Sequence, residues 1–131
     1  MQSEEISRGK PVWKILVVED DSTVSRFIKM LLEIDGHAVQ TASTGREALT
    51  ILEQNKFDLV TTDFLMSGMK GDSLATAIKE FLPNQRVLMI SSKAAFAESC
   101  GEPVPNVDLV MGKPFNQKEL REAMAKVLQG T

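Results

Sequence analysis

Short apolar runs alternate with amphipathic segments along most of the chain. Five apolar runs predict strands, of which the second is the weakest. The first of them is β-branched and apolar without alternation, as expected for a strand buried on both faces. The five runs read KILVV from Lys14, HAVQTA from His37, FDLVTTD from Phe57, RVLMISS from Arg86 and VDLVM from Val107. The segments that follow these runs carry apolar residues at the three- and four-residue spacing of a helix with one buried face.

Polar and glycine residues mark the ends of the first helices. Ser22 is predicted to cap the first helix and Gly36 to end it. His37 follows that glycine, and we expect it to be a solvent-facing turn residue. Thr44 and Glu47 have the spacing of a capping box for the second helix. The predicted inner faces of the first three helices are Val24, Phe27, Ile28, Leu31 and Leu32, then Ala48, Ile51 and Leu52, then Leu74, Ala77, Ile78 and Phe81.

Two further helices complete the pattern. The segment KAAFAES from Lys93 can form only a short fourth helix, because one glycine and two prolines interrupt residues 101–105. Asn116 and Glu119 have capping-box spacing for the fifth helix. Its predicted inner face is Leu120, Ala123, Met124, Val127 and Leu128.

Five strands alternating with five helices predict an α/β fold with a parallel sheet and helices on both faces. Five such units favour the flavodoxin-like, doubly wound (βα)5 architecture with strand order 2-1-3-4-5. Strands 1 and 3 are then neighbours, and a ligand site lies at their carboxyl ends. We predict one domain over residues 14–129, preceded by a flexible, polar lead-in over residues 1–13.

Acidic residues end two of the neighbouring strands. Glu19 and Asp20 follow strand 1, and Asp63 ends strand 3, so the fold brings three carboxylates to one edge. Two like charges ~4 Å apart cost about 4 kcal/mol at an effective dielectric near 20. Protonation, a lysine or a hard divalent cation such as Mg²⁺ would offset that cost.

A hydroxyl and an ammonium group are predicted at the same edge. Strand 4 ends in Ser91 and strand 5 ends in Lys113. Carboxylates, a cation, a hydroxyl and an ammonium group together suit a phosphoryl group in transfer. The positive charges would neutralise its oxygens while a carboxylate attacks in line.

The segments ILVVEDD, DLVTTDFLMSGMKG, VLMISS and VMGKPF, in this order and spacing, resemble the response-regulator receiver domain of two-component signalling. The resemblance covers roughly Lys14 to Leu128. It implies that Asp63 is the phosphorylated aspartate. It also implies Mg²⁺ or Mn²⁺ bound by Asp20, by Glu19 through water, by Asp63 and by the carbonyl oxygen of Leu65.

The resemblance further implies roles for Ser91 and Lys113 beside the phosphoryl group. The Lys113–Pro114 bond is typically cis in the family. The chain would accept a phosphoryl group from a sensor histidine kinase or a histidine phosphotransfer protein, and would then change its affinity for an output partner of unknown identity. It would not be an enzyme acting on other molecules, although it would assist its own phosphorylation and slow autodephosphorylation. Receivers often form homodimers through the fourth helix, the fifth strand and the fifth helix.

Some positions depart from the family's common pattern. Ser67 stands where a proline is usual in the loop after the phosphorylated aspartate. Val110 stands at the switch position, which is normally an aromatic that moves together with the hydroxyl residue, here Ser91. Leu65 and Lys93 occupy two variable sites beside the phosphoryl group. Because an apolar Leu65 cannot orient water, we expect a long-lived aspartyl phosphate.

Three other functions compete with phosphoacceptance. A degenerate receiver would bind partners without phosphorylation, and Val110 keeps this alternative open. A flavodoxin-like cofactor binder would need an anion-friendly loop after strand 1, where the acids of EDD instead repel phosphate. A phosphatase would use Asp63 as nucleophile, but the second acid that such enzymes carry two residues later is replaced by Leu65.

Net charge and cysteine content bear on which binding partners and which cellular compartment are expected. The net charge of −3 indicates neither a nucleic-acid nor an anionic membrane surface as a direct partner. Cys100 is the only cysteine, which favours a reducing, cytoplasmic setting. Only QGT follows Leu128, so we expect no DNA-binding or catalytic output in this chain.

Overall fold

Five parallel strands form one sheet in the order β2-β1-β3-β4-β5, which confirms the predicted topology. The structure, a computed structural model, describes residues 11–92 and 104–129. The predicted fourth helix and residues 1–10 of the predicted lead-in lie outside these ranges. The strands are β1 (Lys14–Val18), β2 (Ala38–Ala42), β3 (Leu59–Thr62), β4 (Arg86–Ser92) and β5 (Leu109–Lys113). The described helices are α1 (Ser22–Ile34), α2 (Gly45–Gln54), α3 (Gly71–Phe81) and α4 (Gln117–Gln129).

The core lies on both faces of the sheet, as the unbroken apolar runs predict. Successive side chains of a strand point to opposite faces, and β1 accordingly divides its residues between two clusters. Ile15 and Val17 pack with α1 and α4, whereas Leu16 and Val18 pack with α2 and α3. β1 is an interior strand that contributes to both layers, so its carboxyl end lies between those of β2 and β3. None of the helices within the described ranges is both long and apolar enough to cross a membrane.

The helix ends follow the predictions in part. The Asn116 and Glu119 side chains exchange hydrogen bonds with each other's backbone N–H groups at 2.8 and 3.0 Å, which confirms that capping box. Thr44 Oγ1 likewise accepts from the Glu47 N–H at 3.0 Å. The Glu47 carboxylate, however, accepts from the Ser43 N–H rather than from that of Thr44. At the N-terminus of α2, the Glu47 carboxylate therefore reaches one residue further back along the chain than in a strict capping box.

The predicted cap at Ser22 is wrong. Asp21 is the N-cap of α1, and its Oδ1 accepts from the N–H groups of Thr23 and Val24 at 2.9 and 3.2 Å. A carboxylate suits this position because it accepts hydrogen bonds from the free N–H groups and also faces the positive end of the helix dipole.

Two aromatic residues assigned to inner helix faces are substantially exposed. Phe27 of α1 is 42% exposed and Phe81 of α3 is 43% exposed. On each helix the apolar stripe is wider than the face that packs on the sheet, and these two residues lie at its margin. Phe27 instead contacts the ring of Phe115, with the two centroids 6.1 Å apart. On α3, Ala75 is buried in addition to the predicted Leu74 and Ile78.

His37 is buried, so the expectation of a solvent-facing turn is wrong. Gly36 ends α1 as predicted, with φ of +89°, and turns the chain back toward the sheet. His37 Nδ1 accepts from the Trp13 N–H at 3.0 Å, and the two rings stack with centroids 5.3 Å apart. Burial lowers the pKa of His37 below its usual 6.5, against an opposing effect from the charge of Asp35.

The burial of His37 and its hydrogen bond with the backbone N–H of Trp13 predict that the stability of the fold depends on pH. Protonation of His37 at Nδ1 would remove the acceptor of the Trp13 N–H, so the folded state binds this proton more weakly than the unfolded chain does. The free energy of unfolding should therefore be fully developed above about pH 6.5 and decline as the pH falls through the lower folded pKa, by at most about 1.4 kcal/mol per pH unit. Urea unfolding followed by Trp13 fluorescence would measure the decline.

The matched control is His37→Phe, which keeps an aromatic ring against Trp13 and removes the titration. Because His37 is the only histidine, this variant should lose the decline between about pH 7 and pH 5.5. An equal decline in both proteins would show that another group is responsible.

Candidate functional site

The carboxyl ends of β1 and β3 lie side by side and carry two acidic residues. The Glu19 N–H donates to the Ala42 carbonyl at 3.0 Å, and the Asp63 N–H donates to the Val18 carbonyl at 3.4 Å. The parallel pairing of β1 with β2 and of β3 with β1 thus continues one residue beyond the end of β1 and of β3. It places both side chains at the edge that the sequence predicts for the site.

Lys113, the last residue of β5, joins the two acids. Its Nζ lies 3.1 Å from Asp63 Oδ2 and 3.4 Å from Glu19 Oε1. Glu19 is buried, and the other two side chains are partly buried. One ammonium group therefore compensates two carboxylates in a region where water screens them only partly.

The surroundings shift the pKa values of two members of this group. Burial raises the pKa of Glu19 above its usual 4.5 and outweighs the opposing charge of Lys113. Burial acts to lower the pKa of Lys113, but its hydrogen bond and charge interaction with Asp63, aided by Glu19, raise that pKa above its usual 10.5. Lys113 consequently stays charged at neutral pH and can stabilise negative charge at this edge.

The backbone around Asp63 fixes the orientation of its carboxylate. Oδ1 accepts from the Phe64 N–H at 2.7 Å, and Oδ2 faces Lys113. Gly71, the first residue of α3, packs directly on this segment. A Cβ added there would lie 2.1 Å from the Asp63 carbonyl oxygen, so no larger residue fits without moving the backbone. Gly71 thus has a positional role that its place in a glycine-rich loop could not reveal.

Asp20 does not join the other two acids. Its Oδ2 accepts from Ser67 twice, from the N–H at 2.9 Å and from the hydroxyl at 3.1 Å. Among the described residues, no group of three or more His, Cys, Asp or Glu side chains is arranged to hold a metal ion. The donor chemistry nevertheless fits a hard divalent cation, because the acids at this edge offer only oxygen ligands.

The other residues predicted for the site lie in β4, in the loop after β3 and in β5. Ser91 is buried at the end of β4, and its hydroxyl donates to the Ser92 carbonyl at 3.4 Å. Leu65 is 49% exposed in the loop after β3. Val110 of β5 packs against a small cluster of Phe64, Met89 and Val104. The Lys113–Pro114 bond is cis, as expected. Lys93 lies outside the described residues.

Comparison with known proteins gives a consistent result. A family model described as the response regulator receiver domain matches residues 15–125. The chain is 32% identical over 115 residues to the response regulator receiver protein CpdR of Brucella abortus, covering 88% of this chain and 96% of the relative. It is 35% identical over 119 residues to the chemotaxis protein CheY-3 of Vibrio cholerae, covering 88% and 92%.

A solved structure agrees with these relatives. The response regulator TrrA of Thermotoga maritima, crystallised in complex with Mg²⁺-BeF, matches with a TM-score of 0.79 at 28% identity. The match covers 88% of this chain and 98% of that one.

The compensation of two acids by one lysine gives a prediction for stability. Lys113→Met should lower the free energy of unfolding at pH 7 by about 1–3 kcal/mol, because Glu19 and Asp63 lose their shared cation. The loss should shrink at lower pH, because burial raises the pKa of Glu19 and its carboxylate is neutralised by protonation there. Lys118→Met is a matched control, because Lys118 is 81% exposed and should change stability by less than about 0.5 kcal/mol. An equal effect of both changes would contradict the assignment.

Proposed function

The chain belongs to the response regulator receiver domain family, and we propose that it is a phosphoacceptor of a two-component phosphorelay. Asp63 would accept the phosphoryl group of a phosphohistidine on a sensor histidine kinase or a phosphotransfer protein. The observation that carries this proposal is the placement of Lys113 within hydrogen-bonding distance of both Asp63 and Glu19 at the ends of β1, β3 and β5. A purely structural role would not require one buried and one partly buried carboxylate around a single lysine.

The hydrogen bonds of Asp63 favour Oδ2 as the attacking atom. Oδ1 is engaged by the Phe64 N–H, whereas the partner of Oδ2 is a flexible side chain. In the transfer, Oδ2 forms a bond to phosphorus as the bond from phosphorus to the donor's imidazole nitrogen breaks. Lys113 can then move its hydrogen bond from Oδ2 to a phosphoryl oxygen without losing Glu19. The buried hydroxyl of Ser91 can donate to another of the phosphoryl oxygens.

A divalent cation, Mg²⁺ or Mn²⁺, belongs to the proposed function. The carboxylates of Glu19, Asp20 and Asp63 and the carbonyl oxygen of Leu65 would hold it. When bound, it would neutralise charge on the phosphoryl oxygens and reduce repulsion among the acids. Support comes from the all-oxygen donor set.

The proposed output is a change in affinity for a partner protein rather than turnover of a substrate. An apolar strip on α1 is available for protein contact, since Phe27, Met30 and Ile34 are 42%, 49% and 63% exposed. This helix begins two residues after Asp20, so a partner covering the strip would lie next to the phosphoacceptor edge.

We also propose a cytoplasmic location, which suits a chain with a single cysteine. Homodimerisation through β5 and the last helix remains an alternative form of output.

A receiver that binds partners without phosphorylation is the second candidate. The observation that favours it is Val110, a small residue at the switch position. Val110 packs with Phe64, which directly follows Asp63, so phosphorylation could still reach β5 through this contact. The two candidates differ in whether Asp63 is modified.

The decisive test is phosphorylation of the purified chain. Incubation with Mg²⁺ and a small acyl phosphate should add the mass of one phosphoryl group, and beryllofluoride should alter the NMR spectrum around Asp63. Asp63→Asn should abolish both effects because an amide is a poor nucleophile. Asp72→Asn, at an acid in the first turn of α3, is the control and should be modified normally. An unmodified wild-type chain under these conditions would favour the second candidate.

The lifetime of the phosphorylated form is a separate prediction. Leu65→Asn should speed loss of the phosphoryl group several-fold, because the amide can hold and orient an attacking water molecule. The decay is measured by intact mass after removal of the donor. Leu65→Met keeps an apolar side chain and should decay like the wild type. An unchanged half-life in Leu65→Asn would exclude Leu65 as a cause of slow decay.

A further inference from the structure

Ser67 makes an unusual double contact with Asp20. Both the N–H and the hydroxyl of Ser67 donate to the same oxygen, Oδ2, at 2.9 and 3.1 Å. The two residues lie 47 positions apart in the chain. The contact therefore ties the loop after β3 to the end of β1.

This contact uses the hydrogen-bonding capacity of one carboxylate oxygen. An ionised carboxylate has about four lone-pair sites on its two oxygens. Two donors on Oδ2 leave that oxygen without a free lone pair, so only Oδ1 of Asp20 is open to a cation while the contact is made. Mg²⁺ also requires near-ideal octahedral geometry with its ligands at about 2.0–2.1 Å. The contact with Ser67 fixes the direction in which Oδ1 can be offered. Among the described residues, no three His, Cys, Asp or Glu side chains are grouped to hold a metal ion, so Asp20 in this orientation does not complete such a set with Glu19 and Asp63.

The chemistry of the contact is specific to a residue with two donors. Proline, the usual residue here in the pattern that the sequence resembles, has neither an N–H nor a hydroxyl and could make neither bond. Alanine could make only the first. The strength of the contact can therefore be changed in steps at one position.

We propose that Ser67 is a positioning residue that holds Asp20 away from the cation and thereby lowers the affinity of the site for Mg²⁺. This inference rests on the proposed function, because it concerns the same cation. Binding would require Asp20 to leave Ser67. That step would also release the loop containing Leu65, which stands two residues before Ser67 and would supply the carbonyl ligand. The Asp20 carboxylate, which follows β1, and the Leu65 carbonyl, which follows β3, would thus become available to the cation together.

The test is a Mg²⁺ titration of the unphosphorylated full chain by isothermal titration calorimetry. Ser67→Pro should bind Mg²⁺ about three- to tenfold more tightly than the wild type, the range expected from the loss of exposed hydrogen bonds to a charged group. Ser67→Ala should be intermediate. Ser67→Thr keeps both donors and should match the wild type, and Ser73→Ala on α3 serves as a control for loss of a serine hydroxyl elsewhere.

A second measurement follows the contact itself. In the wild type, the NMR signal of the Ser67 amide should lie downfield because it donates to a carboxylate, and it should move upfield as Mg²⁺ is added. In Ser67→Ala, the signal of the residue 67 amide should respond in the same direction. Thermal unfolding shows whether each variant is folded, and Ser67→Ala alone carries the test if the proline variant is not.

Several results would overturn the inference. Weaker Mg²⁺ binding in Ser67→Pro and Ser67→Ala would show that Ser67 orients Asp20 for the cation instead of withholding it. Unchanged affinity would show that the contact does not compete with binding. Absence of binding in every variant would also reject it, while phosphorylation of Asp63 would still decide the proposed function independently.

Discussion

The two ion pairs that the Lys113 ammonium group makes with Glu19 and Asp63 are the interaction on which the site depends. Glu19 and Asp63 would repel each other at the end of neighbouring strands, and the ammonium group between them makes the arrangement tolerable. Its position follows from the sheet: β5 pairs with β4 with Ser92 opposite Lys113, and β4 in turn pairs with β3. The register of three strands therefore determines how far apart the charges lie.

The sheet and the strand-end acids could be predicted from the sequence because both follow from simple periodicity. Buried strands appear as unbroken apolar runs, and polar residues directly after them must lie at one edge. The contact of Asp20 with Ser67 could not be predicted, because it depends on the path of a loop rather than on spacing. The burial of His37 depends likewise on the turn at Gly36 and on Trp13. Asp21 rather than Ser22 caps α1, a choice between adjacent residues that sequence patterns cannot make.

A small apolar cluster links the site to the outer strand. Phe64 follows Asp63 directly, is buried, and packs with Met89 and Val104, while Val110 contacts the same group. Any displacement of the backbone after Asp63 must therefore be accommodated by β4 and β5. A valine at position 110 cannot swing as a large ring does, but it can transmit a shift in packing because interiors have little free volume. Asp63 and β5 are thus connected by direct packing through Phe64.

The close approach of Gly71 to Asp63 affects how the molecule opens. The Gly71 N–H donates to the Phe64 carbonyl at 2.8 Å, and the position of a Cβ on Gly71 is occupied by the Asp63 carbonyl oxygen. The first turn of α3 and the residue after β3 therefore cannot separate without breaking the packing beneath them. In native-state hydrogen exchange, we expect such a segment to exchange with the core rather than with surface loops. The proposed acceptor would then belong to a slowly opening part of the chain, although it borders a loop.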